Sequence, residues 1–124
     1  MKQINFVRLS IIFNLFLPFL LLSCSLLPTE DPPGVGEKAE RGSAACEPII
    51  AALEQIRAET GEYPAALEEL VPEYLASIPA SVNEQPLEYV KTPSGFSLTF
   101  RYIGPGMNWC VYTPADGWDC SGAY

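Results

Sequence analysis

The spacing of apolar residues in the middle of the chain predicts an amphipathic helix. Apolar side chains recur there at steps of three and four: Cys46, Ile49, Ile50, Leu53 and Ile56. This period places them on one face of a helix, while most neighbouring acidic residues lie off that face. Ser43 can cap the beginning of the helix, Pro48 is close enough to that beginning to be tolerated, and Gly61 can end it.

A second, shorter helix is expected soon after Gly61. Pro64 fits its first turn, because the N–H that proline lacks would have no partner there. The side chains that would then face inward are Leu67, Leu70 and Val71. Pro72 and Pro79 interrupt the chain beyond this helix.

From residue 87 onward the apolar period falls to two, which predicts strands. Alternate positions of one stretch are apolar or aromatic: Phe96, Leu98, Phe100 and Tyr102. Residues 87–91 would pair with this strand across a turn at 92–95, and residues 108–113 would pair with 117–121 across a Pro-Ala-Asp-Gly turn. The sequence therefore predicts an α+β fold, in which one amphipathic N-terminal helix and a short second helix pack on a small antiparallel sheet.

Two cysteines flank the last of these turns, and the register of the hairpin decides whether they can bond. If paired residue numbers sum to 230, Cys110 and Cys120 are directly opposed and can form a disulfide. If Thr113 instead pairs with Trp118, the sum is 231 and the two cysteines point to opposite faces. We favour the disulfide, because a small domain gains up to a few kcal/mol from one.

Cys46 lies on the apolar face of the predicted helix. We interpret it as a buried free thiol that packs like a small hydrophobic residue. The alternative is a disulfide between helix and sheet, with Cys110 or Cys120 as its partner. A redox catalyst is not expected, because the chain has no Cys-x-x-Cys motif and no evident basic neighbour that would lower a thiol pKa.

The first 23 residues have the parts of an export signal. Lys2 and Arg8 form a basic region, and residues 9–22 form an apolar region. The apolar stretch is shorter than the roughly 20 residues that a membrane-spanning helix needs. A cleaved signal peptide is therefore favoured over an uncleaved anchor helix.

The end of this segment, Leu21-Leu22-Ser23-Cys24, resembles the lipobox of bacterial lipoproteins. In that family the leader is removed before the cysteine, whose thiol carries a diacylglyceryl group. The resemblance implies membrane attachment through the lipid on Cys24, since two or three acyl chains hold durably. By resemblance to lipoproteins of cells with two membranes, Ser25 in place of aspartate implies transfer to the outer membrane, in a cell that has one. The expected location is the cell membrane or outer membrane, with the domain on the extracytoplasmic side.

The stretch after Cys24 is predicted to be a disordered tether. Residues 25–41 are rich in proline, glycine and charge, and they show no apolar period. The chain then divides into a signal peptide (residues 1–23), a lipidated tether (24–42) and a small α+β domain (43–124). The tether would give the domain a reach of roughly 20–25 Å from the bilayer.

The charge of the processed chain excludes one class of partner. Once Lys2 and Arg8 are removed with the leader, five basic and 15 acidic residues remain. No basic patch is left to neutralise phosphates, so no nucleic-acid binding is expected. The same acidity argues against adhesion of the protein surface to anionic lipid.

The middle of the chain resembles the globular head of bacterial type II secretion major pseudopilins and related pilin-like proteins. The matching residues are Leu53-Glu-Gln-Ile-Arg-Ala-Glu-Thr-Gly-Glu-Tyr-Pro64, followed by Leu67-Glu-Glu-Leu70. The family pattern is a helix end, Gly-x-Tyr-Pro, a short Leu-rich turn, a proline-containing loop and a meander of strands. Pilins continue from their leader into a long apolar helix that polymerises, whereas a lipobox and a polar tether stand here. The resemblance thus implies an interaction or scaffold domain, not a filament subunit.

The residue types present exclude most catalytic sites. The chain has no histidine, which excludes Ser–His and Cys–His nucleophile pairs and most zinc sites. The pseudopilins of the resemblance bind calcium near the C-terminus, but Asp116 and Asp119 are the only acids there, and two carboxylates make a poor site. We expect no catalytic residue, no metal and no cofactor.

Two functions are compatible with these features. We favour a non-enzymatic, lipid-anchored envelope protein whose domain binds an envelope protein partner. The alternative is a small-ligand or glycan-binding module. Tyr112 and Trp118 flank the last predicted turn and would form its exposed aromatic platform.

Overall fold

The computed structural model of the protein describes residues 30–123. Helix α1 spans Glu37–Thr60, and a short 3₁₀ helix spans Leu67–Leu70. Six strands follow: β1 Ser81–Val82, β2 Gln85–Pro86, β3 Glu88–Thr92, β4 Gly95–Ile103, β5 Met107–Thr113 and β6 Gly117–Gly122. Strands β1 and β2 form a separate hairpin, and β3 to β6 form a four-stranded antiparallel meander in chain order. The expected α+β class is confirmed.

Helix α1 begins earlier than the sequence predicts. The expected start at Ser43 is wrong, because residues 37–42, which the sequence assigns to the tether, are helical. Ala39 and Gly42 are buried in this first part but are too small to create an apolar period. Ser43 lies inside the helix, where its hydroxyl donates to the Ala39 carbonyl at 3.1 Å. Pro48 is consequently in the helix interior, where its missing N–H leaves one backbone carbonyl without its helical partner.

The end of α1 matches the prediction. Gly61 has a left-handed backbone (φ 85°), and its N–H donates to the Arg57 carbonyl at 2.8 Å. The second helix begins at Leu67, not at Pro64. The carboxylate of Glu69 accepts hydrogen bonds from the backbone N–H groups of Ala65 and Ala66, the two residues before this helix.

The core lies between α1 and one face of the meander. The alternating residues of β4 that the sequence singles out are all buried against the helix: Phe96, Leu98, Phe100 and Tyr102. Gly42 allows the close approach of helix and sheet, because a Cβ at that position would lie 2.1 Å from the Phe100 ring. Backbone and ring are therefore in direct contact at this point.

The β1–β2 hairpin is an element that the sequence does not predict. Asn83 and Glu84 form its turn with positive φ angles of 52° and 64°, the geometry of a tight two-residue hairpin. Val82 of this hairpin is buried in the core. The Asn83 side chain donates to the Lys38 carbonyl at 2.8 Å and so ties the hairpin to the beginning of α1.

The residues that precede α1 are docked on the domain. The N–H of Gly34 donates to the Tyr102 hydroxyl at 2.8 Å. A Cβ on Gly34 would lie 2.8 Å from Cβ of Cys120, so this backbone rests directly on the end of β6. The link between Cys24 and the domain is therefore shorter than the tether that composition suggests.

Candidate functional site

Strand register decides which side chains the meander presents to its surroundings. Cys110 pairs with Cys120, and Thr113 pairs with Gly117, so the register that sums to 230 is correct and the alternative is wrong. The predicted Cys110–Cys120 disulfide is present, with the two Cα atoms 4.1 Å apart. Both cysteines lie on the helix side of the sheet, because Cys110 also pairs with the buried Phe100.

The opposite side of the meander, which we call the open face, contains no buried side chain among the described residues; its one buried position is Gly95. Its residues are Glu88, Val90, Ser97, Thr99, Arg101, Ile103, Met107, Trp109, Val111, Thr113, Asp119 and Ser121. Four of the five large hydrophobic side chains that are exposed between residues 30 and 123 lie on this face: Val90, Ile103, Met107 and Trp109. Such a concentration of exposed apolar surface on one face is typical of an interaction site.

Three of these side chains adjoin one another at the β4–β5 turn. Ile103 pairs with Met107 across the turn, and Trp109 follows two residues later on the same face. They are 54%, 45% and 41% exposed, respectively. We call this group the apolar end of the open face. Val90 lies towards the other end, opposite Ser97.

Charged side chains lie beside the apolar end and in the next row of the open face. Arg101 pairs with Trp109 across the β4–β5 ladder. Its guanidinium binds both carboxylate oxygens of Glu88, at 2.8 and 3.0 Å. This hydrogen bonding lowers the pKa of Glu88 and raises the pKa of Arg101. Asp119 lies in the same row as Glu88, opposite Val111.

Tyr112 and Trp118 lie on the other side of the sheet. Their rings meet edge to face with centroids 5.4 Å apart, and Trp118 packs against Phe100 at 5.2 Å. Both side chains are half-buried against the core, so the expectation that they stand exposed is wrong. Each is two residues from a bonded cysteine and shares its face. Their role in binding a ligand stays a prediction.

The Gly61-Glu-Tyr-Pro64 corner is a structural joint between helix and sheet. Tyr63 packs its ring edge to face on Phe96, with centroids 4.8 Å apart. Its hydroxyl donates to Glu54 at 2.7 Å and accepts from Arg57 at 2.9 Å. Burial, followed by the Glu54 carboxylate, raises the pKa of Tyr63. This hydroxyl is therefore engaged in closing the helix end.

Cys46 is free and fully buried, which confirms the interpretation from sequence. Burial in the apolar core raises the pKa of its thiol to about 12. The thiolate is the reactive form of cysteine, so this residue is inert at neutral pH. It acts as a packing residue.

Within residues 30–123, no group of three or more acidic or cysteine side chains is arranged to hold a metal ion. Asp116, one of the two acids near the C-terminus, instead accepts a hydrogen bond from the Thr113 hydroxyl at 3.1 Å. Over the same range, no helix has both the length and the apolar composition that crossing a bilayer requires. Cys24 and the leader lie outside the described residues, so lipidation stays a prediction.

The comparisons with known proteins do not indicate a function, so the function has to be inferred from the residues of this chain. No protein-family model, no curated protein and no solved structure matches this chain.

Proposed function

We propose that the protein is a lipid-anchored envelope protein, held in the membrane through Cys24, and that its domain is a non-catalytic interaction module. The observation that carries this proposal is the open face, where most of the exposed large hydrophobic side chains of the described residues are concentrated. The lipobox at residues 21–24 supports the anchor. The partner that we propose for this face, at the end that contains Val90, is a protein of the cell envelope.

The chemistry of the domain supports a binding role over a catalytic one. Among the described residues, the largest pKa shifts belong to groups that hold the fold together. Tyr74 donates to Glu59 at 2.6 Å, which raises the pKa of Tyr74 to about 12. Tyr89 donates to the Pro64 carbonyl at 2.7 Å, and burial raises its pKa to about 12. Each of these hydroxyls joins two segments of the domain.

The resemblance to pseudopilin heads supports a scaffold role for the same domain. Its helix ends in Gly-x-Tyr-Pro, turns through the Leu67–Leu70 helix and leads into an antiparallel meander. In this proposal the domain recognises its partner through the open face of its meander. The lipid on Cys24 provides the membrane attachment that a long apolar helix provides in pilins.

The anchor is tested by the substitution Cys24→Ser. The mass of the wild-type protein extracted from membranes should equal residues 24–124 plus a diacylglyceryl group, with one disulfide and one free thiol. The Cys24→Ser chain should keep its leader and lose the lipid mass. Processing and membrane retention that continue unchanged in this variant would rule out the anchor.

The interaction face is tested by photo-crosslinking in cells. A photoreactive residue at Val90, on the open face, should give an adduct with one envelope protein. The same residue at Glu47, which is exposed on α1, is the matched control and should not give it. Equal adducts from both positions, or none from Val90, would contradict the proposal, as would turnover of a substrate by the purified protein.

A further inference from the structure

We propose that the apolar end of the open face (Ile103, Met107 and Trp109) docks in the headgroup layer of the membrane that holds the lipid anchor. This inference rests on the proposed anchor at Cys24 and adds an orientation to it. The occupant of the apolar end is the lipid surface itself, not a protein. Three observations lead to this assignment.

The first observation is where the chain enters the domain. Glu30 and Asp31 line one cleft together with Gly104 and Pro105 of the β4–β5 turn. That turn connects Ile103 to Met107. The ammonium group of Lys38, near the beginning of α1, also donates to the Ile103 carbonyl. Tyr102 and Asn108 line the same cleft, so the chain that arrives from Cys24 reaches the domain at the β4–β5 turn, on the helix side of the sheet and at the same end as the apolar end.

The second observation is the length of the link. Six peptide units separate Cys24 from Glu30. A fully extended chain covers at most about 3.3–3.6 Å per residue, so this link spans no more than about 22 Å. A lipidated sulfur lies at the level of the headgroups. The β4–β5 turn is thus confined to the space next to the bilayer, whereas the far end of the sheet is free to point away from it.

The third observation is the order of side chains along the open face. Tryptophan is enriched at membrane interfaces, because its apolar ring and polar N–H suit the boundary between acyl chains and water. Ile103 and Met107 extend the apolar surface at the turn. Glu88 and Asp119 lie one row beyond Trp109, about 7 Å further along the strands. Their charges can remain in water while the apolar end enters the interface.

The acidity of the processed chain fixes the kind of lipid surface. With 15 acidic and five basic residues after loss of Lys2 and Arg8, the domain is repelled by anionic headgroups. The apolar end can insert into a zwitterionic surface, such as phosphatidylcholine or phosphatidylethanolamine, without this repulsion. Docking is therefore expected to weaken as the anionic fraction of the bilayer rises.

The two tryptophans of the chain allow a direct test, because they lie on opposite sides of the same sheet. The mature lipoprotein is reconstituted in phosphatidylcholine vesicles that contain lipid brominated near the top of its acyl chains. Trp118→Phe leaves Trp109 as the only indole, and its emission should be shifted to the blue and quenched. Trp109→Phe leaves Trp118, whose emission should be unquenched.

Charge substitutions then separate the apolar end from the rest of the open face. In the Trp118→Phe background, Met107→Glu should abolish most of the quenching of Trp109. Val90→Glu places the same charge on the same face at its far end and should leave the quenching intact. Both positions are exposed, at 45% and 57%, so neither substitution disturbs the core.

Flotation of the same vesicles separates the failure of this inference from the failure of the anchor. Protein that floats while Trp109 stays unquenched keeps the anchor and overturns the docking. Protein that does not float overturns both. A blue shift of Trp109 that depends on protein density, without quenching by brominated lipid, would show that a second copy or another protein covers the apolar end, and would also overturn the docking.

Discussion

Cys46 is the residue that should most clearly make the stability of the domain depend on pH. Burial raises its pKa from 9.0 to about 12, so the folded state keeps the thiol protonated where the unfolded chain has lost the proton. The stabilisation is complete below pH 9 and is lost as the pH rises towards 12. Over that range the free energy of unfolding should fall by up to about 1.4 kcal/mol per pH unit on account of this group.

Urea denaturation at several pH values between 9 and 11 measures this contribution. Tyrosines also titrate there, so the wild type is compared with Cys46→Ala, which retains every other group. The variant should show the shallower decline. Parallel declines in the two proteins would show that the thiol is not shielded from water.

Gly42 is the residue at which α1 and the sheet come closest. Alanine normally stabilises a helix interior by up to about 1 kcal/mol relative to glycine. Here its Cβ would lie 2.1 Å from the Phe100 ring, so one of the two elements must move. Gly42→Ala should therefore destabilise the domain by about 1–3 kcal/mol in denaturation experiments. Ala44→Gly, at an exposed position nearby, is the control and should cost only the helix propensity of about 1 kcal/mol.

Helix α1 contains one residue that opposes it. Pro48 is exposed in the helix interior, where proline costs about 3 kcal/mol relative to alanine. Part of this cost is offset because proline also restricts the unfolded chain, by about 0.4–1 kcal/mol. Pro48→Ala should therefore raise the free energy of unfolding by about 2 kcal/mol, which a shift of the urea midpoint would report.

The neighbouring substitution Glu47→Ala is the control for Pro48→Ala. It removes an exposed side chain without changing the backbone, and its effect should stay within about 0.5 kcal/mol. If Pro48→Ala stabilised no more than Glu47→Ala, the helix would already have adapted to proline. If Pro48→Ala lowered the free energy of unfolding, the contacts of the proline ring would stabilise the domain by more than the missing hydrogen bond costs.

The elements that the sequence predicts correctly are those with a strong period or a specific turn. The alternation in β4 identifies its buried face, Gly61 ends α1, and the Pro114–Gly117 turn sets the β5–β6 hairpin. The first part of α1 is not predicted because its buried residues, Ala39 and Gly42, are small. They are buried because the helix lies close to the sheet there, and they produce no hydrophobic period in the sequence. Strands of two residues, such as β1 and β2, are too short to show any period.

The candidate site depends on a single register. A shift of one residue between β4 and β5 would exchange the faces of Trp109 and Tyr112, and the Gly-Pro-Gly turn between these strands does not fix that register from sequence. The sequence points to Tyr112 and Trp118 as the exposed aromatics because they flank the last turn, and a position beside a turn does not decide which face of the sheet a side chain occupies. The orientation of Trp109 follows from its neighbour Cys110. Because Cys110 bonds Cys120 on the core side of the sheet, the adjacent side chain of Trp109 must point to the open face.

For the whole molecule, the docked residues before α1 change the reach that the proposed lipid anchor would give the domain. Composition suggests a tether of 17 residues and a reach of roughly 20–25 Å. Contacts of Gly34 with Tyr102 and Cys120, together with the cleft that Glu30 and Asp31 share with Gly104 and Pro105, remove most of that length. Six peptide units then connect Cys24 to Glu30, with a root-mean-square span of roughly 12–15 Å. If Cys24 carries the proposed lipid, a link this short would orient the domain as well as retain it.

The length of the link is therefore a variable that should control docking. Inserting twelve Gly and Ser residues between Ser25 and Leu26 triples the link and preserves the sequence around Cys24. The effective concentration of the apolar end at the bilayer falls roughly as the −3/2 power of length, or about fivefold. In the Trp118→Phe background, quenching of Trp109 by brominated lipid should decrease accordingly, while flotation with the vesicles should not change.

The same twelve residues added after Tyr124 are the matched control and should leave the quenching of Trp109 as it was. A long link that quenches as strongly as the native one would mean that the bilayer binds the apolar end by affinity alone. A decrease confined to the Ser25 insertion would instead show that the short connection to the lipid, together with the exposed Ile103, Met107 and Trp109, sets the orientation of the domain. The open face would then meet the membrane at one end and present Val90 and its neighbours to a partner at the other.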